Sequence, residues 1–304
     1  MKRYILFIVA IFCLVGTSQP LSAQVTEATQ YLYNPFAINP AAAGLNSDHR
    51  IFANFRQQWS SLTNAPSTVM FSYNGRFGKQ GLGVSFINDK AGALENNRFL
   101  VAYSYPLQIN ETSRLSLGIS GQLTNFQVRP DASQLQDLNL SDPVLADAID
   151  GSNILDASFG AFYQNDNGLY AGISAPSLLQ TKIGGTADID SDFNDLAAFY
   201  YGIVGYKISR KNIVFDPSVL FRKMEGAPLQ IELNAKAWFM DEILMAGVSY
   251  RTQEESLAFI LGINIENTVQ IYYAHDANMG ELNQYFAGSN EFTLGFRFGG
   301  KKQE

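Results

Sequence analysis

Residues Phe99–Leu107, with the sequence FLVAYSYPL, show the pattern that decides the fold of this chain. Their odd-numbered positions all carry large apolar side chains, namely Phe99, Val101, Tyr103, Tyr105 and Leu107. The even-numbered positions between them include small residues such as Ala102 and Ser104. Because successive side chains of a β-strand point to opposite faces, this period of two predicts a strand with one apolar face.

The same alternation recurs along the chain in about fourteen runs. They are centred near residues 55, 72, 85, 102, 118, 159, 171, 202, 217, 234, 248, 261, 272 and 295. Each run has about the 9–11 residues that a tilted transmembrane strand needs, whereas strands of a soluble β-sandwich or propeller usually have about 5–6. An even number of strands is typical of bacterial outer-membrane barrels. We therefore predict an all-β protein, an antiparallel transmembrane β-barrel of about fourteen strands spanning residues 50–298.

The connections between the runs differ in length according to their parity. The even-numbered connections are short, at Gly75–Gln80, Asn110–Ser113, Asn165–Gly168, Ser209–Asn212, Met240–Glu242 and Glu266–Asn267. The three longest connections are all odd-numbered, at Val128–Asn153, Pro176–Asp195 and His275–Asn290. Because outer-membrane barrels have short periplasmic turns and longer extracellular loops, this parity puts both termini in the periplasm.

The first residues have the features of a cleaved export signal. Lys2 and Arg3 precede the apolar run Tyr4–Gly16, and Leu21-Ser22-Ala23 is a plausible cleavage site. The apolar run is too short for a membrane-spanning helix, and Cys13 lies within it rather than at its end, which argues against a lipoprotein. We therefore assign residues 1–23 to a signal peptide, 24–49 to a periplasmic lead-in segment and 299–304 to a C-terminal tail.

Composition argues against a nucleic-acid partner and against stabilisation by disulfide bonds. Without Lys2 and Arg3, the formal charge falls from −7 to −9, which argues against a nucleic-acid partner. The predicted mature chain contains no cysteine, because the single cysteine is Cys13, so disulfides do not hold it together.

No pattern of residues predicts a metal site or a cofactor. His49 and His275 are the only histidines and lie far apart in sequence. Asp188, Asp190 and Asp192 resemble the start of a calcium loop, but the pattern fails because Phe193 and Phe199 replace the expected glycine and glutamate. The acidic residues of the first long loop predict a solvated loop, with divalent-cation binding as the weaker alternative: Asp131, Asp137, Asp142, Asp147 and Asp150.

Catalytic motifs are equally lacking from the sequence. There is no G-x-S-x-G motif and no phosphate-binding glycine loop, and the glycines are instead scattered through strands, where they suit a barrel interior. We therefore expect no enzyme. A surface enzyme that uses His275 is the weakest of the functions considered, and loss of His275 without effect on any activity would count against it.

Two Asn-Pro dipeptides interrupt the stretch Tyr31–Gly44, YLYNPFAINPAAAG. Proline fixes its own φ and disfavours the helical region for the preceding residue, and the rest of the stretch is small or apolar, so we expect a rigid, extended and packed segment. Two interpretations stay open: a periplasmic lead-in to the first strand, or a segment that plugs the lumen or docks a periplasmic partner. The candidate residues are Asn34, Pro35, Phe36, Asn39, Pro40 and Gly44.

Several motifs resemble one family. The string NPFAINPAAAG is followed by Gln58-Trp59, by Ala65-Pro66-Ser67-Thr68, by Gly81-Leu82-Gly83-Val84 and by Asn88-Asp89-Lys90. Together these motifs resemble the PorP/SprF family of the Bacteroidetes type IX secretion system. They cover about the first hundred residues, and the layout of strands and loops is compatible to the end.

The resemblance implies more than the spacing does. It implies an outer-membrane barrel, needed for secretion or surface attachment of a type IX cargo such as a gliding-motility adhesin with a C-terminal sorting domain. It also implies contacts with periplasmic ring or gliding-machinery components, and neither catalytic residues nor a cofactor. The alternative is a diffusion porin for a small solute, which a barrel with a polar inner face permits equally well.

Overall fold

The computed structural model describes residues 28–62, 64–129, 149, 151–183, 198–280 and 288–299. The predicted signal peptide, the acidic residues of the two longest loops and the C-terminal tail beyond Gly299 lie outside these residues. In the described part of the chain, no helix has the length and apolar character that crossing a membrane requires.

Within the described residues, sixteen strands form one antiparallel sheet. They are β1 (His49–Gln57), β2 (Ser67–Phe77), β3 (Gln80–Ala91), β4 (Leu94–Asn110), β5 (Ser113–Val128), β6 (Ser152–Asn165), β7 (Leu169–Ala175), β8 (Thr181–Ile183), β9 (Phe199–Tyr206), β10 (Ile208–Arg210), β11 (Ile213–Met224), β12 (Gln230–Phe239), β13 (Leu244–Arg251), β14 (Ser256–Ile265), β15 (Val269–Asn278) and β16 (Ser289–Phe298). The sheet closes on itself, because β1 pairs with β16 and β11 pairs with both β9 and β12.

The closed sheet is a barrel of fourteen strands, which confirms the predicted fold. The count is fourteen rather than sixteen because β7 and β8 both pair with β6, and β9 and β10 both pair with β11. Each pair of short strands therefore occupies one position in the wall.

The two interrupted positions differ from the continuous strands that the alternation predicts, and each has a local cause. After β7, the backbone N–H groups of Leu178 and Leu179 both donate to the Asp156 carboxylate at 3.0 Å, and the Leu178 N–H also donates to the Ala157 carbonyl, so regular pairing with β6 stops there. Between β9 and β10, the Lys207 N–H donates to the Gly168 carbonyl, and the facing strand carries Pro217, which has no N–H to donate.

The outward face is apolar and the inward face is polar. Phe55, Phe71 and Phe99 are about half exposed on the outside, whereas Asn54 and Ser72 are buried on the inside. The outward apolar band is the surface that a bilayer covers. Strands β4 and β5 have 17 and 16 residues, longer than predicted, and the outward positions at one end of the pair turn polar at Glu95 and Asn97. This wall therefore projects beyond the apolar band.

Connections confirm the predicted alternation in length. The short turns 78–79, 111–112, 166–168, 211–212, 240–243 and 266–268 all lie at one end of the barrel, which we call the short-turn end. The strand ends that border the connections 129–151, 184–198 and 279–288 lie at the opposite, long-loop end, as does the tight turn 92–93. The chain enters β1 and leaves β16 at the short-turn end.

Residues 29–45, which precede β1, lie inside the barrel. They form three short 3₁₀ turns, Thr29–Leu32, Pro35–Ala37 and Pro40–Ala42, of which the last two begin at the prolines of the Asn-Pro pairs. We call residues 29–45 the inner segment. Tyr31 is 1% exposed and Ala41 0% exposed, so this part of the chain lies within the barrel rather than beneath it as a separate periplasmic lead-in.

Candidate functional site

The inner segment makes contacts all around the barrel wall. Its backbone carbonyls accept hydrogen bonds from Ser104 on β4 and from Ser174 on β7, both at 2.6 Å, and from the Lys236 ammonium on β12. At the opposite side, the Thr29 N–H donates to the Glu291 carboxylate on β16 at 2.8 Å. The segment therefore lies across the lumen, fixed to several strands by polar contacts.

The two asparagines of the Asn-Pro pairs bind the wall through their side chains. Asn39 donates from Nδ2 to two strand carbonyls, those of Ala161 at 3.1 Å and Ile173 at 3.0 Å. Its Oδ1 accepts from the Ala41 N–H at 2.9 Å and so caps the third 3₁₀ turn. Asn34 donates to the Ser72 hydroxyl at 3.2 Å. The candidate prolines therefore set the turns, and the asparagines attach those turns to β2, β6 and β7.

One side of the wall accepts the inner segment because it lacks side chains. An added Cβ would lie 1.9 Å from the Ala43 carbonyl oxygen at Gly81, 2.5 Å from the Phe36 ring at Gly83, 2.3 Å from the Ala41 nitrogen at Gly118 and 2.0 Å from Asn39 Oδ1 at Gly160. These four glycines on β3, β5 and β6 form what we call the glycine wall. Since the segment touches the strands directly, no larger residue fits at these positions.

Gly44 ends the inner segment in a conformation that suits glycine. Its φ is +61°, and an added Cβ would lie 2.6 Å from the Gly75 carbonyl oxygen. The carbonyls of Gly44 and Leu45 then accept hydrogen bonds from the Arg76 guanidinium at 3.0 and 2.8 Å. This clamp turns the chain from the lumen toward β1.

The opposite side of the wall is charged. Arg56 pairs with Asp276 at 2.5 Å and with Glu291 at 3.3 Å, and Arg251 also pairs with Asp276, at 3.1 Å. All of these side chains are nearly inaccessible to solvent. We call the connected, buried set on β1, β11, β12, β13, β15 and β16 the charged wall: Arg56, Arg222, Arg251, Glu232, Asp276 and Glu291.

Two tyrosines connect the inner segment to the charged wall. The Tyr31 hydroxyl donates to Glu232 at 2.9 Å, and the Tyr33 hydroxyl lies 2.7 Å from the Thr293 hydroxyl and stacks on the Tyr272 ring with centroids 4.0 Å apart. Burial, followed by the nearby carboxylates, raises the pKa of both tyrosines well above the usual value. Both phenols are therefore neutral and able to donate.

A second, smaller ion pair supports the middle of the inner segment. Lys236 lies 3.2 Å from Asp216 and donates to the Leu32 carbonyl, and Tyr170 donates to the same aspartate at 2.8 Å. Asp216 is 0% exposed. A buried carboxylate needs such partners because an unpaired charge in the interior is strongly disfavoured.

The histidines occupy two separate places. Nδ1 of His49 is 2.8 Å from the Tyr73 hydroxyl at the short-turn end, and Nδ1 of His275 is 2.9 Å from Asn290 Oδ1 near the long-loop end. Within the described ranges, no group of three or more histidine, cysteine, aspartate or glutamate residues is arranged to hold a metal ion.

Sequence reasoning missed the charged wall. Its residues occupy polar positions in the alternating pattern of their strands. The alternation predicts only that these side chains face inward. A charge at such a position, as at Arg222 or Glu232, is a signal that a buried partner exists, because a lone buried charge is so unfavourable. The identity of that partner depends on the strand register, which cannot be read from the sequence.

Above the inner segment, the lumen widens into a cavity of about 730 Å³ that we call the cup. Phe36–Pro40 form part of its lining on the inner-segment side. Its walls include Ser85, Arg98 and Gln122 from β3, β4 and β5, and reach Ala91 and Leu94 beside the 92–93 turn, so the cup lies at the long-loop end. A volume of this size is in the range of ligand pockets.

Comparison with known proteins gives a family and a fold. The family model described as "Type IX secretion system membrane protein PorP/SprF" matches residues 21–296. Among curated proteins, no sequence matches the chain. The structure titled "CymD monoaromatic hydrocarbon channel" is similar with a TM-score of 0.51 and 12% identity over 91% of this chain and 94% of that one. The Acinetobacter baumannii outer membrane protein Omp33 gives a TM-score of 0.49 and 9% identity over 84% and 100%. At such identities the likeness concerns the barrel fold alone.

Proposed function

The chain belongs to the PorP/SprF family of type IX secretion system membrane proteins, and from this premise we propose that it supports secretion or surface attachment of a cargo protein. A gliding-motility adhesin that carries a C-terminal sorting domain is the kind of cargo we have in mind. The protein is an outer-membrane β-barrel, so its role would be performed at the cell boundary, where the cargo leaves the periplasm.

The proposed orientation puts the short-turn end in the periplasm and the long-loop end outside the cell. It is supported by the position of both barrel termini at the short-turn end and by the usual length asymmetry of outer-membrane barrels. In this orientation, periplasmic ring or gliding-machinery components would meet the short turns and the clamp at Gly44 and Arg76. The cargo would meet the projecting wall of β4 and β5 and the cup.

The observation that carries the proposal is the inner segment. A porin for small solutes needs a continuous aqueous path, whereas here the chain's own residues 29–45 lie across the lumen and bind β2, β4, β7, β12 and β16. A barrel that is filled in this way is suited to binding partners at its two ends. The alternative function, a diffusion porin, remains an outcome of the experiments below.

Deleting the gene and comparing the secreted and surface-exposed proteins tests the proposal directly. We expect one or a few proteins with C-terminal sorting domains to accumulate in the periplasm, and a tagged chain to co-purify with them or with ring components. The control is the same strain carrying the wild-type gene. Unchanged secretion, together with ion conduction by the purified barrel in a planar bilayer, would leave the porin function ahead.

We also propose that the chain has no catalytic activity. The side-chain amide oxygen of Asn290 beside His275 and the absence of a catalytic sequence motif support this view. The variant His275→Ala should therefore secrete cargo as the wild type does. A loss of surface cargo in this variant, with normal barrel assembly, would reopen an enzymatic role for the histidine.

A further inference from the structure

The cup has the make-up of a binding site. Its lining combines apolar side chains, including Met70, Ile87, Leu100 and Phe126, with a similar number of polar and charged residues. Binding sites for small molecules and peptides likewise combine apolar surface with placed polar groups. The two methionines, at 70 and 224, add side chains that adapt to irregular apolar surfaces.

Two carboxylates in the wall of the cup already have hydrogen-bond partners. Asp89 accepts hydrogen bonds from the Thr68 hydroxyl and from the Arg98 guanidinium, both at 2.6 Å. Asp156 accepts the backbone N–H groups of Leu178 and Leu179. The lining as a whole has three carboxylates and two cations, adding Lys90 and Glu225 to Asp89, Asp156 and Arg98. Its net charge is therefore small, which favours a ligand that itself carries little charge.

Some polar atoms of the cup have no partner within the described residues. They are the Ser85 hydroxyl, which belongs to a side chain only 6% exposed, Asn96 Oδ1 and Arg98 Nε. Ser85, Asn96 and Arg98 all line the cup, and they sit on the adjacent strands β3 and β4. Buried polar groups are normally paired, so a set of unpaired donors and acceptors along one wall indicates that another molecule supplies the partners.

We propose that the cup binds an uncharged, extended polypeptide segment with apolar side chains, contributed by the exported protein. Peptide amides supply both donors and acceptors for the wall of β3 and β4, and apolar side chains fit the surface of Met70, Leu100 and Phe126. A neutral glycan would satisfy the polar groups but would not bury the aliphatic and thioether surface. The inference rests on the proposed secretion function and names the site at which the cargo is recognised.

The experiment blocks the cup after folding. The predicted mature chain has no cysteine, so Gln122→Cys introduces a single thiol into the cup wall, and Leu123→Cys places the matched control on the outward face of the same strand. Both proteins are purified, labelled with a bulky maleimide and reconstituted in nanodiscs. The probe is the purified exported protein whose surface display is lost in the deletion strain, and maltoheptaose serves as the glycan probe.

Labelled Gln122→Cys should bind the exported protein about tenfold or more weakly than unlabelled Gln122→Cys, the size of effect that one central contact carries. Labelled Leu123→Cys should bind as well as the wild type. Equal affinity of labelled and unlabelled Gln122→Cys overturns the inference. Binding of maltoheptaose that the label blocks, without binding of the exported protein, overturns it in favour of a sugar.

The two proposals fail in different ways. If deletion leaves every secreted protein unchanged, the secretion function fails, and the peptide occupant that rests on it fails with it. If deletion abolishes display of one protein but the label in the cup leaves its binding unchanged, the secretion function stands and only the cup assignment is overturned.

Discussion

The glycine wall and the charged wall hold the same segment by opposite means. The glycine wall lets the backbone of the inner segment approach within direct contact, because Gly81, Gly83, Gly118 and Gly160 have no side chains to displace. The charged wall instead fills the space with long side chains, and reaches the segment through carboxylates such as Glu232 and Glu291. One wall depends on shape, and the other depends on paired charge.

This difference teaches what each wall contributes. Direct packing of a segment against a wall gives dispersion and burial, and tolerates no added volume. A buried ion-pair network contributes little net stability compared with an apolar wall. Removing one member is strongly destabilising, however, because the remaining charges stay buried without compensation. We therefore expect the charged wall to select the position of the inner segment and the glycine wall to set how closely it packs.

The largest effect should come from breaking the charged wall at its centre. Asp276→Ala removes the carboxylate that pairs with both Arg56 and Arg251, and leaves two buried guanidinium groups short of a partner. We expect a loss of about 3 kcal/mol or more in the free energy of unfolding. Urea-dependent unfolding followed by heat-modifiable migration on gels measures it.

Asp166→Ala is the matched control, because Asp166 lies exposed in the short turn 166–168. It should change the free energy of unfolding by no more than about 0.5 kcal/mol. Equal stability of the two variants would mean that the buried charges are solvated or rearranged. It would contradict the view that the charged wall depends on paired charge.

Gly118→Ala attacks the glycine wall. Its Cβ would lie 2.3 Å from the Ala41 nitrogen, which is backbone and has little freedom to move, so we expect a loss of about 1–3 kcal/mol. If the segment is displaced instead, the purified variant should conduct ions in a planar bilayer. Gly121→Ala on the same strand has open space around it and should do neither. Identical behaviour of the two alanine variants would contradict close packing.

Asn39→Ala tests the attachment of the second Asn-Pro turn to the glycine-wall side. It leaves the carbonyls of Ala161 and Ile173 without the Nδ2 donor and the Ala41 N–H without its cap, for an expected loss of about 2 kcal/mol. Asn34→Ala removes a single bond to Ser72 and should cost about half as much. Equal losses for the two variants would indicate that the turn is held by packing alone.

The smallest effect should come from Tyr31→Phe. This change removes the hydroxyl that donates to Glu232 and lies 3.1 Å from Asn234 Oδ1. Glu232 keeps its ion pairs with Arg222 and Arg251, so we expect a loss of about 1 kcal/mol. A double-mutant cycle with Glu232→Gln separates this bond from the rest of the network. A coupling energy near zero would show that the inner segment and the charged wall are energetically independent.

The strands were predictable because each one alternates by itself. The period-two alternation is visible within Phe99–Leu107 alone, and within every continuous strand of the wall. The interruption after β7 was not, because it requires Asp156 on β6 to capture N–H groups of Leu178 and Leu179, more than twenty residues away. A local pattern carries no information about such a partner.

The same reason limits what the sequence says about the inner segment and the cup. The Asn-Pro pairs predict a rigid, extended and packed segment, since proline acts on its own and the preceding residue. The segment is packed, but the expectation of an extended chain is wrong, because Pro35 and Pro40 each begin a 3₁₀ turn. The surface against which it packs is made of Gly81, Gly118 and Gly160, which come together only through the register of β3 to β6. The cup likewise exists only once β3, β4 and β5 stand side by side.

The bond from Thr29 to Glu291 joins residues 262 positions apart, nearly the first and the last described parts of the chain. It joins the inner segment to β16, the strand that closes the ring against β1. Contacts of such long range make folding slow. We therefore expect the inner segment to gain its full set of wall contacts only late in folding, when β16 pairs with β1.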